Sequence, residues 1–180
     1  MFAKLKQRWQ DTRTIMKLSL DAEQRALREG QQHPGAEHYT LAALDLPDGS
    51  ARRVFARIGA DPEAYRAALA NRHTAALSAI GLAAANANVT PAGASSAADG
   101  LAPPAEPTLL FDAQPSGQTL MQSLPELQRR LPAPLCGAHV LLAAAAMAHS
   151  AAGRAFKAID IDLQALGSAA EAELRAAIPS

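Results

Sequence analysis

The stretch from Glu37 to Tyr65 returns, without gap or insertion, at Ala138 to Leu166, at a constant offset of 101 residues. Ten of the twenty-nine aligned positions are identical, among them His38/His139, Arg53/Arg154, Phe55/Phe156, Ile58/Ile159 and Asp61/Asp162. Alanine is abundant in this chain, so matched alanines carry little weight. The His, Arg, Phe, Ile and Asp pairs carry more, because each of those residue types is far rarer here than alanine. A self-similar period of this kind must be settled before any other reading of a fold. Here it implies one helical unit present twice.

A chain of 180 residues makes one domain or two small ones and can bury a sizeable core. Hydrophobic residues make up 49% of it, but only 4% are aromatic. A core built largely from alanine needs close helix packing rather than large side chains. Formal net charge is zero, which gives no overall electrostatic reason to expect nucleic acid or an anionic membrane as partner. The basic start (Lys4, Lys6, Arg8, Arg13, Lys17) is the pattern of a solvated helix face. Cys136 is the one cysteine, so no internal disulfide forms, which fits a reducing compartment. Polar residues interrupt the N-terminus where a secretory signal would be apolar. The most apolar run, Val140 to Ala148, is far short of the ~20 residues that span a bilayer. The expectation is a cytoplasmic protein.

Apolar residues from Phe2 to Leu27 recur at helical spacing and predict one long helix or two shorter ones, stopping near Gly30. Phe2 and Trp9 are expected to pack on the first unit. After the His33-Pro34-Gly35 turn a second helix is expected from Ala36 to about Leu46. Pro47-Asp48-Gly49 makes a turn, with Ser50 as N-cap of a helix over Ala51 to Ile58. Asp61 caps the next helix, with Pro62 in its first position. Asn86 to Pro107 is rich in Ala, Gly, Pro and Ser and is expected to be a flexible linker. The second unit follows the same grammar. A helix spans Thr119 to Leu131, either kinked at Pro125 or restarted with Ser123 as cap. Others span Ala138 to His149, a segment capped by Ser150, and a last helix opened by Asp162 that reaches about Ile178. No strand-like alternation occurs. The boundaries expected are a first repeat over 1–82, a linker over 83–108 and a second, divergent repeat over 109–180.

Gly35-Ala36-Glu37-His38, then a turn, then Ile58-Gly59-Ala60-Asp61 and a further helix resemble one half of the Clp N-terminal domain. That domain is the tandem helical repeat at the front of the ClpA, ClpB and ClpC unfoldases. Cys136-Gly137-Ala138-His139 and Ile159-Asp160-Ile161-Asp162 match the same pattern more loosely. The fold this implies is all-α: two four-helix units related by pseudo-twofold symmetry. No G-x-x-x-x-G-K-[ST] occurs that could cradle a nucleotide, so a stand-alone domain without the ATPase module is expected.

The resemblance singles out Glu37. In ClpC-type domains a glutamate at this position recognises the guanidinium of phosphorylated arginine. The chemistry is sound, since a carboxylate accepts charge-assisted bonds from guanidinium and helix N-terminal amides suit phosphate. A glutamate in the first turn also simply complements the helix dipole. Ala138 stands at the equivalent place in the second unit, so at most one such site is expected. His38 and His139 are expected to hydrogen-bond within their own repeats. Arg53 and Arg154 are expected to face solvent beside nearby acids. No metal spacing is present, and neither metal nor cofactor is expected.

The function expected is protein binding rather than catalysis: an adaptor, decoy or regulator in Clp-dependent proteolysis or chaperone function. Its partners would be Clp substrates, adaptors or an unfoldase, with no nucleic acid and no membrane. Two alternatives belong to other classes. One is a protein that sequesters a small ligand in the groove between the repeats. The other is an enzyme using Cys136 as nucleophile beside His139.

Overall fold

A computed structural model describes residues 2–79 and 113–178. The expected linker and Leu109 to Phe111 lie outside these residues. All the described regular structure is helical: α1 (Phe2–Arg28), α2 (Ala36–Leu44), α3 (Ser50–Arg57), α4 (Pro62–Ala79), α5 (Pro115–Arg130), α6 (Gly137–Ala145), α7 (Ala151–Ala158) and α8 (Leu163–Ala176). The fold is all-α, as expected, and no described helix is long and apolar enough to cross a membrane.

The two sets of four helices interlock. The central helices α2 and α6 pack on each other, α3 packs on α8, and α4 packs on α7. Exchanging α1–α4 with α5–α8 maps these contacts onto themselves, which is the pattern of a pseudo-twofold axis. Every residue of α2 is buried, and most of α6 is. Short alanine side chains allow this close approach: Gly137 sits against the Ala43 carbonyl and the Ala51 methyl, and an added Cβ there would come within 2.9 Å of both.

The repeated phenylalanines meet near the axis. Phe55 and Phe156 are both fully buried, with ring centroids 6.2 Å apart. Tyr65 of the first unit stacks on Phe156 of the second at 4.4 Å and makes an edge contact with Phe55 at 6.0 Å. Leu166, the repeat equivalent of Tyr65, is also fully buried. One continuous core runs through both units.

Hydrogen bonds tie the units at their helix starts. The Ala36 N–H at the head of α2 donates to Ser116 Oγ of α5 at 3.1 Å. The Ala138 N–H near the head of α6 donates to Ser50 Oγ of α3 at 2.9 Å. Each central helix is thus capped by a serine of the other unit. This corrects the expected role of Ser50, which does not cap its own helix. Gly49 is the N-cap of α3, and Asp48 Oδ2 accepts from the Ser50 N–H. Ser150 and Asp162 do cap α7 and α8, accepting from Gly153 and Ala165.

Three further expectations are revised. Pro125 lies inside a single helix, and Ser123 donates to the Leu120 carbonyl instead of capping a new one. The helix expected to reach His149 ends at Ala145, because the turn ahead of Ser150 begins earlier. Trp9 is 70% exposed rather than packed on the first unit, because α1 turns Leu18, Ala22 and Ala26 to the core. At the end of the third helix the repeat demands a left-handed residue in both units. Gly59 meets it at φ 65° in the first and Asp160 at φ 58° in the second, and Asp tolerates that region better than most residues.

Ion pairs surround this core. Asp45, at the end of α2, accepts from Arg25, Arg52 and Arg66. Burial pushes its carboxyl upward, but the three guanidinium groups outweigh that and hold it below its ordinary value. Glu173 of α8 accepts from Arg53 and Arg57 of α3, bridging the units. Arg53 thus faces an acid as expected, while Arg154 donates to the His149 carbonyl. Arg53, then Arg57, lowers the Glu173 carboxyl against the effect of its burial.

Two outcomes test this architecture. Phe156→Ala should cost about 3–5 kcal/mol, and calorimetry should show one transition, shifted as a whole, rather than separate melting of two halves. Glu173 is depressed in the folded state, so its stabilisation is complete above the ordinary carboxylate pKa and is lost as pH falls through the lowered value. The stability gap between wild type and Glu173→Gln, about 1 kcal/mol or less for so exposed a pair of arginines, should be constant above about pH 5 and shrink below about pH 4 in urea titrations.

Candidate functional site

The head of α2 holds the residue that the sequence singles out. Gly35 precedes the helix in extended conformation, and its N–H donates to His38 Nδ1 at 2.9 Å. With Nδ1 accepting, the ring proton sits on Nε2, which faces Glu29 Oε2 at 3.2 Å. His38 is fully buried and bonds within its own repeat, as expected. It closes one half of a capping box, in the place usually taken by Glu or Gln.

Glu37 folds back over Gly35. A Cβ at Gly35 would lie 2.6–2.8 Å from the Glu37 carboxylate, so the absence of a side chain at 35 makes room for the acid at 37. The residue is 8% exposed. Its Oε1 lies 3.6 Å from His38 Nδ1, and its Oε2 is buried with no hydrogen-bond partner. A buried carboxylate oxygen without a donor is costly, and the positive end of α2 offsets part of that cost. The arrangement leaves a carboxylate oxygen that a cationic donor could satisfy.

The second unit replaces both partners together. Cys136 stands where Gly35 does and Ala138 where Glu37 does, so the side chain added at the first position coincides with the carboxylate lost at the second. That double exchange is visible in the aligned repeat, though Ala138 alone gives no hint that position 35 must lack a side chain. Cys136 Sγ lies 3.4 Å from His139 Nδ1, and His139 Nε2 lies 3.3 Å from the Leu131 carbonyl. Nε2 donates there, which leaves Nδ1 to accept from the thiol. Burial pushes the Cys136 thiol up and the His139 imidazole down. Both shifts favour the neutral pair. A cysteine nucleophile needs the opposite, a thiolate beside an imidazolium. His139, like His38, bonds within its own repeat.

Between the units, α1 and α5 flank a surface depression of about 580 Å³ that includes Gln7, Arg8, Asp11, Pro125, Gln128 and Arg129. Asp11 is already engaged there, accepting from Gln128 Nε2 and the Leu135 N–H, both at 2.8 Å. Among the described residues no group of three or more His, Cys, Asp or Glu could hold a metal ion.

Residues 12–96 match the family model of the Clp repeat (R) N-terminal domain. The resemblance carried by Gly35-Ala36-Glu37-His38 and Ile58-Gly59-Ala60-Asp61 is thereby shown for the first repeat. No curated protein and no solved structure matches the chain.

The neutral pair has a kinetic consequence. Cys136 should react with iodoacetamide at pH 7.5 at least about tenfold more slowly than a free thiol of ordinary pKa, with the rate still rising above pH 9. Fast alkylation at neutral pH, measured by mass spectrometry, would show a thiolate and revive the nucleophile.

Proposed function

We propose that this chain is a protein-binding module of the Clp repeat kind, serving as adaptor, decoy or regulator in Clp-dependent proteolysis or chaperone function, with Glu37 as its contact for a guanidinium group of the phosphoarginine class. In this reading the binding unit is the first repeat, 1–82, joined through 83–108 to a second repeat, 109–180, whose part is structural. The family match over residues 12–96 supports the protein-binding class. The observation that carries the site is the unpartnered Glu37 oxygen at the head of α2.

A guanidinium placed at that carboxylate would supply the missing donors in a charge-assisted bond. Its phosphate would lie near the positive end of the helix. The Ala36 N–H is already taken by Ser116, and the His38 and Tyr39 amides donate to the Gly35 carbonyl, so the phosphate depends on the Glu37 N–H and on the dipole. Because Oε2 is covered, the carboxylate must rotate outward to bind, which lowers affinity by the population of the open form. The small-ligand reading lacks a comparable anchor, since the acid in the depression between α1 and α5 has its donors already.

Isothermal titration with a peptide carrying one phosphoarginine, against the same peptide with plain arginine, tests the proposal. One site per chain is expected, with Glu37→Gln weakening it at least about tenfold, the scale of one lost charge-assisted bond. Glu37→Ala, which copies the second unit, should fold and fail to bind. Absence of heat with the phosphorylated peptide, or equal affinity for Glu37→Gln, defeats the assignment.

A further inference from the structure

Five large apolar side chains of α1 face solvent: Leu5, Trp9, Met16, Leu20 and Leu27, each more than half exposed. At about 100° per residue they fall within an arc of roughly 60°, on the side of the helix away from Leu18, Ala22 and Ala26. This is one straight stripe along a 27-residue helix, about 40 Å long. Scattered exposed apolar residues are ordinary, but a contiguous patch on the order of 500 Å² marks an interaction surface.

The spacing of the stripe says what covers it. Leu5 and Leu27 each stand eleven residues from Met16, one on either side. A second α1 laid antiparallel, with a twofold axis at Met16, therefore sets Leu5 against the partner's Leu27 at both ends and Met16 against the partner's Met16 in the middle. In the same register Trp9 falls opposite the partner's Glu23, between the partner's Leu20 and the partner's Leu27. Residues 20, 23, 24 and 27 have the spacing of a four-residue hole that receives a knob from a facing helix. Leu20 falls opposite the partner's Thr12, in the matching hole of residues 9, 12, 13 and 16. A surface complementary to itself under a twofold rotation is the requirement for an isologous dimer.

Charge selects the same direction. Lys6, Arg8 and Arg13 face a single acid, Asp11, in the first half of α1, and that acid is bound to Gln128 and Leu135. In the second half Asp21 pairs with Lys17 at 2.9 Å, Arg25 with Asp45 of α2, and Glu23 offsets Arg28. Parallel pairing stacks the basic halves on each other, whereas antiparallel pairing sets each basic half against a neutral one. Glu23 then lies at the level between the partner's Lys6 and the partner's Arg13.

We infer that α1 is a homodimerisation helix, pairing antiparallel with a second copy of this chain about Met16. The inference is independent of the Glu37 reading, since the stripe and the head of α2 share no residue.

The full chain tests it. Trp9 is the single tryptophan, so its fluorescence reports the interface alone. Emission should shift to the blue with rising concentration, in step with a monomer-to-dimer transition in sedimentation velocity. Leu20→Glu and Trp9→Glu should each raise the apparent Kd at least about tenfold while leaving the circular dichroism spectrum unchanged. In a Cys136→Ser background, oxidised Met16→Cys should form an interchain disulfide. Leu5→Cys alone should not, but should cross-link when mixed with Leu27→Cys. A chain that stays monomeric at about 200 µM overturns the inference, as does a dimer indifferent to both glutamates. Cross-linking of Leu5→Cys alone as readily as Met16→Cys overturns the antiparallel pairing. A monomer with blue emission at every concentration would mean that Trp9 is covered within a single chain, and also overturns it.

Discussion

The contact on which the rest depends is the meeting of Phe55 and Phe156 beside the pseudo-twofold axis, with Tyr65 stacked across it. A chain this poor in aromatics has few side chains able to fill a volume larger than a helix–helix seam. Three of them are spent on one layer, contributed by both repeats, which leaves neither unit a complete core of its own. The layer holds α4 against α7 and sets α3 beside α7. Those pairings bring α2 and α6 close enough for alanine and glycine to pack backbone to backbone. They also bring Ser50 and Ser116 to the heads of the opposite central helices, where each supplies an acceptor that the local sequence lacks.

With the frame so nearly symmetric, the differences between the two helix heads stand out as local chemistry. Gly35 with Glu37 makes a buried carboxylate with one free oxygen. Cys136 with Ala138 makes a neutral thiol against a neutral imidazole. Backbone geometry and the histidine are common to both, so the difference rests on two side chains. The positive helix end that favours an acid in the first unit is met in the second by the serine cap and no charge. The same asymmetry recurs at the rim: Arg53 and Arg57 reach Glu173, while Arg154 finds a backbone carbonyl.

Most helix starts were legible because their signals are local. Ser150 and Asp162 cap the helices that follow them, and Pro62 opens α4, since each cap concerns residues two or three apart in sequence. Ser50 carries the same signal and does something else. Its hydroxyl serves an amide 88 residues away, and Asp48 and Gly49 suffice to begin α3. Apolar residues at helical spacing imply a buried face, which places Trp9 in the core on periodicity alone. The long helix carries two apolar faces, and periodicity alone does not say which one meets the body. Pro125 carries both a break signal and a first-turn signal, and the helix runs through it. Glu37 was legible as a position within a motif. Its covered oxygen was not, because that depends on how the carboxylate folds over Gly35.

By itself the sequence determined that the chain is helical, that one unit occurs twice at an offset of 101 residues, where most of those helices begin, and which repeat carries the carboxylate. All of these follow from patterns within a turn or two of helix, or from comparing one stretch of chain with another. The tertiary structure decided how the units share a core, which serine caps which helix, that the Cys136–His139 pair is held neutral, and which face of α1 is left to solvent. Those depend on what lies across a gap in space from residues far away in sequence, where burial and hydrogen-bond partners are set by packing and not by spacing along the chain.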